Sequence, residues 1–192
     1  MLLSVLSEAF VAVLVIGAVV VLGIAIIVGI YNGLVRRRIR TQEAWAQIDV
    51  QLKRRHDLIP NLVETVKGYA SHERETLERV IQARTQAVSA KTVGEHAQAE
   101  NVLSGALRQL FALSEAYPDL KANENFARLQ EELSSTENRI AFARQHYNAS
   151  AAEYNTACES FPSNVIAGMF GFKKVEYFEI EDQDRQVPQV KF

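Results

Sequence analysis

The chain has 192 residues, 48% of them apolar and 23% charged, with a formal net charge of −2. That is one domain's worth of sequence, too apolar for intrinsic disorder and, with nine Gly and four Pro, neither collagenous nor low-complexity. A single cysteine, Cys158, excludes a disulfide framework and a multi-cysteine zinc site within one chain, and the near-neutral charge argues against nucleic acid as a partner.

Charge and hydrophobicity are segregated along the chain. Residues 1–9 carry only Glu8 as a charge, and Phe10 to Ile30 is a run of 21 residues with no charge and no side-chain amide. As a helix this run spans roughly 31 Å, about the hydrocarbon thickness of a bilayer. A cleaved signal peptide would want a positive start, a shorter apolar run and a small-residue cleavage site. An uncleaved anchor over 10–30 fits better, because the run is followed by Tyr31-Asn32 and then Arg36, Arg37, Arg38 and Arg40. Those arginines predict that 1–9 is extracytoplasmic and that 31–192 lies in the cytoplasm. Ala25, Gly29 and Gly33 recur every fourth residue, a stripe that lets two spans pack closely. The plainer reading is that Gly and Ala are common in any membrane helix.

The rest reads as helices. Trp45, Ile48, Leu52, Ile59, Leu62, Val66 and Tyr69 form a heptad seam, with Arg55 its one charged position. Pro60 lies inside it and predicts a kink, or else a break with Asp57 capping a restarted helix. Gly68 marks the end, and Ser71 is the expected cap of a second helix with Glu73 and Glu75 in its first turn. Leu77, Val80, Arg84, Ala87 and Val88 mark that helix's inner face. Val93-Gly94 reads as a turn. Leu103, Ala106, Leu110, Leu113 and Tyr117 then stripe a third helix, stopped by Pro118. In the fourth, Phe126, Leu133, Ile140, Tyr147 and Tyr154 recur every seven residues, with Leu129, Thr136, Ala143, Ser150 and Ala157 in the second seam position. Phe161-Pro162 ends it. The only strand-like alternation is the short stretch 175–180.

The expected fold is therefore all-α: a transmembrane helix, an antiparallel up-and-down four-helix bundle over 31–160 with coiled-coil seams, and an extended C-terminal tail over 161–192. Such connectivity returns the fourth helix to the membrane side. The stretch 161–172, followed by Lys173 and Lys174, would then either cap the bundle core or lie in the bilayer interface. Residues 36–55 carry seven basic side chains against Glu43 and Asp49, a balance of +5 that leaves −7 for the remainder. Membrane lipids are the partner such a juxtamembrane cluster suggests.

Ala44–Tyr69, reading AWAQIDVQLKRRHDLIPNLVETVKGY, resembles the signature of the LemA family. So do EAYPDLKANENF at 115–126, LQEEL, TENRIAFAR, the pairs Tyr147-Asn148 and Tyr154-Asn155, FPSN, YFE at 177–179 and the final VPQVKF. Tyr31-Asn32 also fits. The resemblance implies a bacterial membrane protein with one N-terminal span and a cytoplasmic helical bundle. It does not imply an enzyme, and a relative in magnetotactic bacteria is linked to making membrane organelles. The small residues Ala149, Ser150, Ala151 and Ala152 depart from the bulkier pattern expected there.

Catalytic signals are sparse. A carboxylate-bridged metal pair in a bundle needs Glu-x-x-His motifs, and none occurs. His72 with Glu75, and His96 with Glu100, are one turn apart near helix starts and could hold at most a weak surface metal. Their carboxylates are explained equally well by the helix dipole. Neither a P-loop, a dinucleotide glycine pattern nor a serine-hydrolase elbow is present. Cys158 has no partner suited to nucleophilic catalysis. No cofactor is expected.

Asn61, Asp119, Lys121, Asn123, Asn148 and Asn155 are the polar residues that stand out. They are read as turn chemistry and interhelical hydrogen bonds, or as a partner-binding patch at the bundle's tip and side. Three functions are in view: a self-associating, non-enzymatic scaffold; a peptide- or lipid-binding module with the tail as a lid; and a metal-dependent enzyme.

Overall fold

The structure, a computed structural model, describes the backbone of residues 2–179 and the side chains of Phe10 and of residues 13–179. The described residues form α1 (Leu2–Lys67), α2 (Arg74–Ser89), α3 (Val93–Ser114), α4 (Pro118–Lys121), α5 (Glu124–Glu159) and α6 (Ser163–Met169), with no strand among them. Residues 175–179 of the alternating stretch take no regular secondary structure. Ile180, the side chains of 1–9 and the VPQVKF end at 187–192 lie outside the described residues.

The apolar run and the first seam form one unbroken helix of 66 residues, α1. It is the one described helix long and apolar enough to cross a membrane, by length and composition. Its large apolar side chains from Val13 to Val28 are all at least 42% exposed, on every face. Pro60 sits inside α1, so the break with a restart at Asp57 is not taken. Ile59 and Leu62, on either side of the proline, are wholly buried. Packing there outweighs the lost backbone hydrogen bond.

Several boundaries differ from the sequence expectation. α2 starts at Arg74 with Glu73 before it and no side-chain cap, so Ser71 is not the capping residue. Glu73 instead accepts a hydrogen bond from the Tyr117 hydroxyl at 3.0 Å. Val93-Gly94 is not a turn but the first two residues of α3, because Thr92 and Glu95 form a reciprocal capping box in front of them. α3 ends at Ser114, before Tyr117, and Pro118 opens the short α4 in what was expected to be loop. On α2, Val88 is exposed and Ala83 takes the buried position instead.

Packing divides the chain, as far as it is described, into two units: Met1–Gln42 with Ser150–Val175, and Glu43–Ala149 with Glu176–Phe192. In the second unit Ile59, Leu62 and Val66 of α1 meet Leu77 and Val80 of α2, Leu103, Leu107 and Leu110 of α3, Leu120 of α4, and Phe126, Leu129 and Leu133 of α5. Trp45 lies edge-on to Tyr147 and to Phe178, with ring centroids 5.4 and 5.6 Å away. Phe178 is wholly buried.

In the first unit Leu34 of α1 is buried with Ile166 and Ala167 of α6, and Ile30, Tyr31, Ala157, Cys158 and Phe172 surround them. The Thr41 hydroxyl reaches the carbonyl of Ser150 at 3.2 Å as well as its own helix at Arg37. Small side chains at 149–152 permit that approach, and Ala151 is fully buried. α6 ends in a left-handed Gly171, φ +69°. The Phe172 amide bonds back to Ala167 and the Gly171 amide to Gly168, which satisfies the helix's last carbonyls and turns Phe172 inward.

The segment after α6 is held by two asparagines on α5. In the second unit Asn148 donates to the Phe178 carbonyl at 3.1 Å and accepts from the Phe178 amide at 2.9 Å. In the first, Asn155 makes the same two-point contact with Val175, at 2.9 Å each way. A primary amide is the side chain that can give and take one hydrogen bond on the same edge, so it matches an extended backbone residue. Removing either leaves a peptide group unpaired at roughly 1–3 kcal/mol. Asn148→Ala and Asn155→Ala should therefore raise tryptic cleavage at Lys173 and Lys174 by about tenfold or more. Helix content by circular dichroism should stay unchanged.

Candidate functional site

The one charged position of the first seam is the most informative residue in the second unit. Arg55 is 3% exposed and Glu100, on α3, is not exposed at all. Nη1 of Arg55 lies 3.0 Å from one oxygen of Glu100. Its Nη2 reaches Glu137 on α5 and the Ser104 hydroxyl, both at 2.9 Å. The other Glu100 oxygen is 2.6 Å from Nε2 of His56. Arg84 of α2 donates through Nε to the His56 carbonyl at 2.7 Å. Side chains from four helices therefore form one linked cluster around a desolvated carboxylate that Arg55 and His56 of α1 contact directly.

A buried carboxylate is costly unless paired and hydrogen-bonded. Here both Glu100 oxygens are engaged, and the Arg55 guanidinium is spread over two carboxylates and a hydroxyl. The cluster's geometry suits fixing the order and register of helices, because no other alignment of α1 and α3 would match the charges. The pairing of His96 with Glu100 at a surface does not form: Glu100 faces inward to Arg55. The Nδ1 of His96 is buried without a hydrogen-bond partner, and its ring lies 5.5 Å from that of Trp45. A cavity of roughly 270 Å³ beside it is lined by Lys53, His56, Asp57, Arg84 and His96 among others. Among the described residues no three His, Cys, Asp or Glu side chains gather as a metal cage.

On the outside of the same unit an open groove of roughly 640 Å³ runs over α1 and α5, lined by Ala46, Val50, Gln51, Arg139, Phe142 and Ala143 among others. Val50 is 61% and Phe142 72% exposed. The Gln51 side-chain oxygen is buried there without a partner.

The residues singled out from the sequence scatter. Asn61 and Asp119 are exposed. Lys121 pairs with Glu115. Asn123 caps α5 by accepting from the Phe126 amide at 3.0 Å, and it donates to the Tyr69 hydroxyl. Asn148 and Asn155 hold the tail. Ala25 and Gly29 are exposed on the apolar run, and a methyl group added at Gly29 would meet nothing. At Gly33 it would meet the Arg37 side chain at 3.3 Å. Arg36, Arg37, Arg38 and Arg40 are exposed, and Arg38 stacks over the Phe172 ring at 5.1 Å.

Two tyrosines on the fourth seam are locked as neutral donors. Burial, with the Glu176 charge adding to it, pushes the Tyr147 phenol up to about 12, and it donates to the Glu176 carbonyl at 2.7 Å. Burial and a hydrogen bond with Cys158 push Tyr154 up to about 12 as well. Backbone hydrogen bonds from Lys91 and Thr92 hold Glu95 below the usual carboxylate range, as its place in the capping box requires.

The model that describes the LemA family matches residues 44–192. The chain belongs to the LemA family. The match starts beyond the apolar run and takes in the seam with Arg55, Glu100 and both tail-holding asparagines. The chain is similar to the magnetosome protein MamQ of Magnetospirillum gryphiswaldense, 28% identical over 174 residues that cover 77% of this chain and 64% of that protein. Magnetosome protein MamQ 2 of Paramagnetospirillum magneticum is 29% identical over 175 residues, covering 78% and 64%. The chain thus spans less than two thirds of the length of these magnetosome relatives. Protein LemA of Metamycoplasma hominis is 29% identical over 163 residues, 82% of this chain and 73% of that protein.

The sequence reading sets Glu100 at the surface beside His96 and does not single out His56 or Glu137, although the signal for an inward Glu100 is there. Glu100 stands one turn before Leu103 on the third helix's stripe, so that stripe extends inward through it, and a charged seam position such as Arg55 calls for such a partner. In this LemA-family chain Glu100→Leu alone should lower stability by about 3 kcal/mol, because it leaves Arg55 under-compensated. Adding Arg55→Met should recover most of the loss. Thermal unfolding of the wild type and of these two variants in nanodiscs measures both.

Proposed function

We propose that this protein is a membrane-anchored helical scaffold: non-enzymatic, self-associating, and presented on the cytoplasmic face of a bacterial inner membrane. The anchor is 10–30, and the arginines after it support the orientation through the positive-inside rule. In this reading the second half of α1, then α2, α3 and α5, are the legs of an antiparallel up-and-down four-helix bundle. Short connections at 68–73, 90–92 and 115–123 support it.

The observation that carries self-association is the groove over α1 and α5. Val50 and Phe142 stand exposed side by side on neighbouring helices, flanked by Ala46 and Ala143. Apolar surface of that kind on a helical protein marks a contact site, and a second copy can bury it by laying its own Phe142 across, as two-fold symmetry requires. Close packing of spans along Ala25, Gly29 and Gly33 would act in the same direction. The magnetosome relatives, named for a membrane compartment, lend support to work at a membrane. The buried charge cluster supports a structural role, because its groups are matched to one another.

The test is the mass of the full chain in mild detergent, beside Phe142→Glu and Val50→Glu. The wild type should form a defined oligomer, and each substitution should weaken it about tenfold or more. A wild type that stays monomeric at every accessible concentration would end the scaffold reading and favour a binding module with the tail as its lid.

A further inference from the structure

Around α6 the first unit shows two opposite faces. Ile166 and Ala167 are buried against Leu34, with Ile30 and Tyr31 beside them. Tyr31 is edge-on to Phe170 and Phe172, at 4.9 and 5.6 Å between centroids. On the other side, Phe161 is 83%, Met169 72% and Val165 52% exposed, and Phe170, at the helix end beside Tyr31, is still 55% exposed. Four large apolar side chains on and beside a seven-residue helix have no reason to face water.

Their position on α1 supplies the reason. Ile30, Tyr31 and Leu34, on which α6 rests, are where the apolar run ends and the arginines begin. The contact holds α6 at the level where α1 leaves the hydrocarbon. Tyr31 and Phe170, paired there, are the aromatic type that concentrates at that level. The charges match as well: Arg36, Arg37, Arg40 and Lys173 are exposed in the same unit, the sign that anionic headgroups attract.

We infer that the face formed by Phe161, Val165, Met169 and Phe170 inserts into the boundary between headgroups and acyl chains, in the leaflet through which α1 exits. α6 is then a second, shallow membrane contact held against the first. Tyr31 and Leu34 fix its depth, and the left-handed turn at Gly171 brings the chain back off the surface. The anchor over 10–30 is a premise of this inference, so the experiment reads the two separately.

The full chain, with Cys158→Ser, is labelled with a small environment-sensitive fluorophore at one cysteine and placed in nanodiscs of phosphatidylcholine and phosphatidylglycerol. The labelled variants are Phe161→Cys, Met169→Cys, Ile24→Cys within the apolar run, and Gln42→Cys. Gln42 is exposed on α1 roughly 18 Å beyond Ile30. Lipids carrying a quencher at a shallow or a deep acyl position report depth. The expected result is deep quenching at residue 24, with shallow quenching at 161 and 169 at least threefold stronger than at 42. Quenching at 161 and 169 no stronger than at 42, with residue 24 still quenched, overturns the inference and leaves the anchor standing. Labels at 161 and 169 that are shielded from water yet insensitive to the lipid quenchers overturn it too, and place a protein on that face. No quenching at residue 24 removes the anchor and the inference together.

Discussion

An apolar run of 21 residues cannot leave its backbone polar groups unpaired in lipid, and a helix satisfies all of them within the segment. The features of the first unit depend on that constraint. Once 10–30 is helical, nothing at its end stops the helix. Asn32 and Gly33 are weak formers, but no proline follows until Pro60, which lies inside the helix, and α1 ends at Lys67. α1 therefore runs on through the arginines into the seam without a joint. Continuity fixes the rotation of Tyr31, Leu34 and Thr41 about the helix axis, and those are the residues that α6 and the end of α5 use.

In the second unit the governing term is desolvation. Apolar seams alone allow slips by a heptad, because one leucine packs much like another. A carboxylate at zero exposure does not slip, since moving Glu100 by one turn would strand it and Arg55 in an apolar layer. The cluster adds little net stability, so its value lies in specifying one alignment. Asn148 and Asn155 work on the same logic, seven residues apart on α5. Each exchanges two hydrogen bonds with an extended stretch that has no sheet to join, and each thereby satisfies backbone groups that would otherwise be buried unpaired or would draw in water.

Periodicity was the readable part of the sequence. Buried Phe126, Leu133, Ile140, Tyr147 and Tyr154 lie on α5 as the seven-residue spacing implies, and Ile48, Leu52, Ile59, Leu62 and Val66 do so on α1. Boundaries were less readable, because caps compete. Ser71 and Thr92 are both good capping residues, but only Thr92 has a glutamate three positions on in α3 to complete the box. Tyr69, on the seam by spacing, is exposed because α1 has already ended. The polar core was hidden for a different reason: Glu100 beside His96 looks like surface chemistry when only local spacing is read, and its partner lies 45 positions earlier. The asparagines were equally opaque, since their partner is backbone, which carries no sequence signal.

Membership of the LemA family and one membrane-length helix leave the side of the membrane as the central claim. A single cysteine at Lys91→Cys, in the turn before α3, with Cys158→Ser, can be challenged in intact cells by a maleimide that does not cross membranes. The account predicts a protein that sediments with membranes, with residue 91 unlabelled until the membrane is permeabilised and labelled fully afterwards. Labelling of residue 91 before permeabilisation would contradict it.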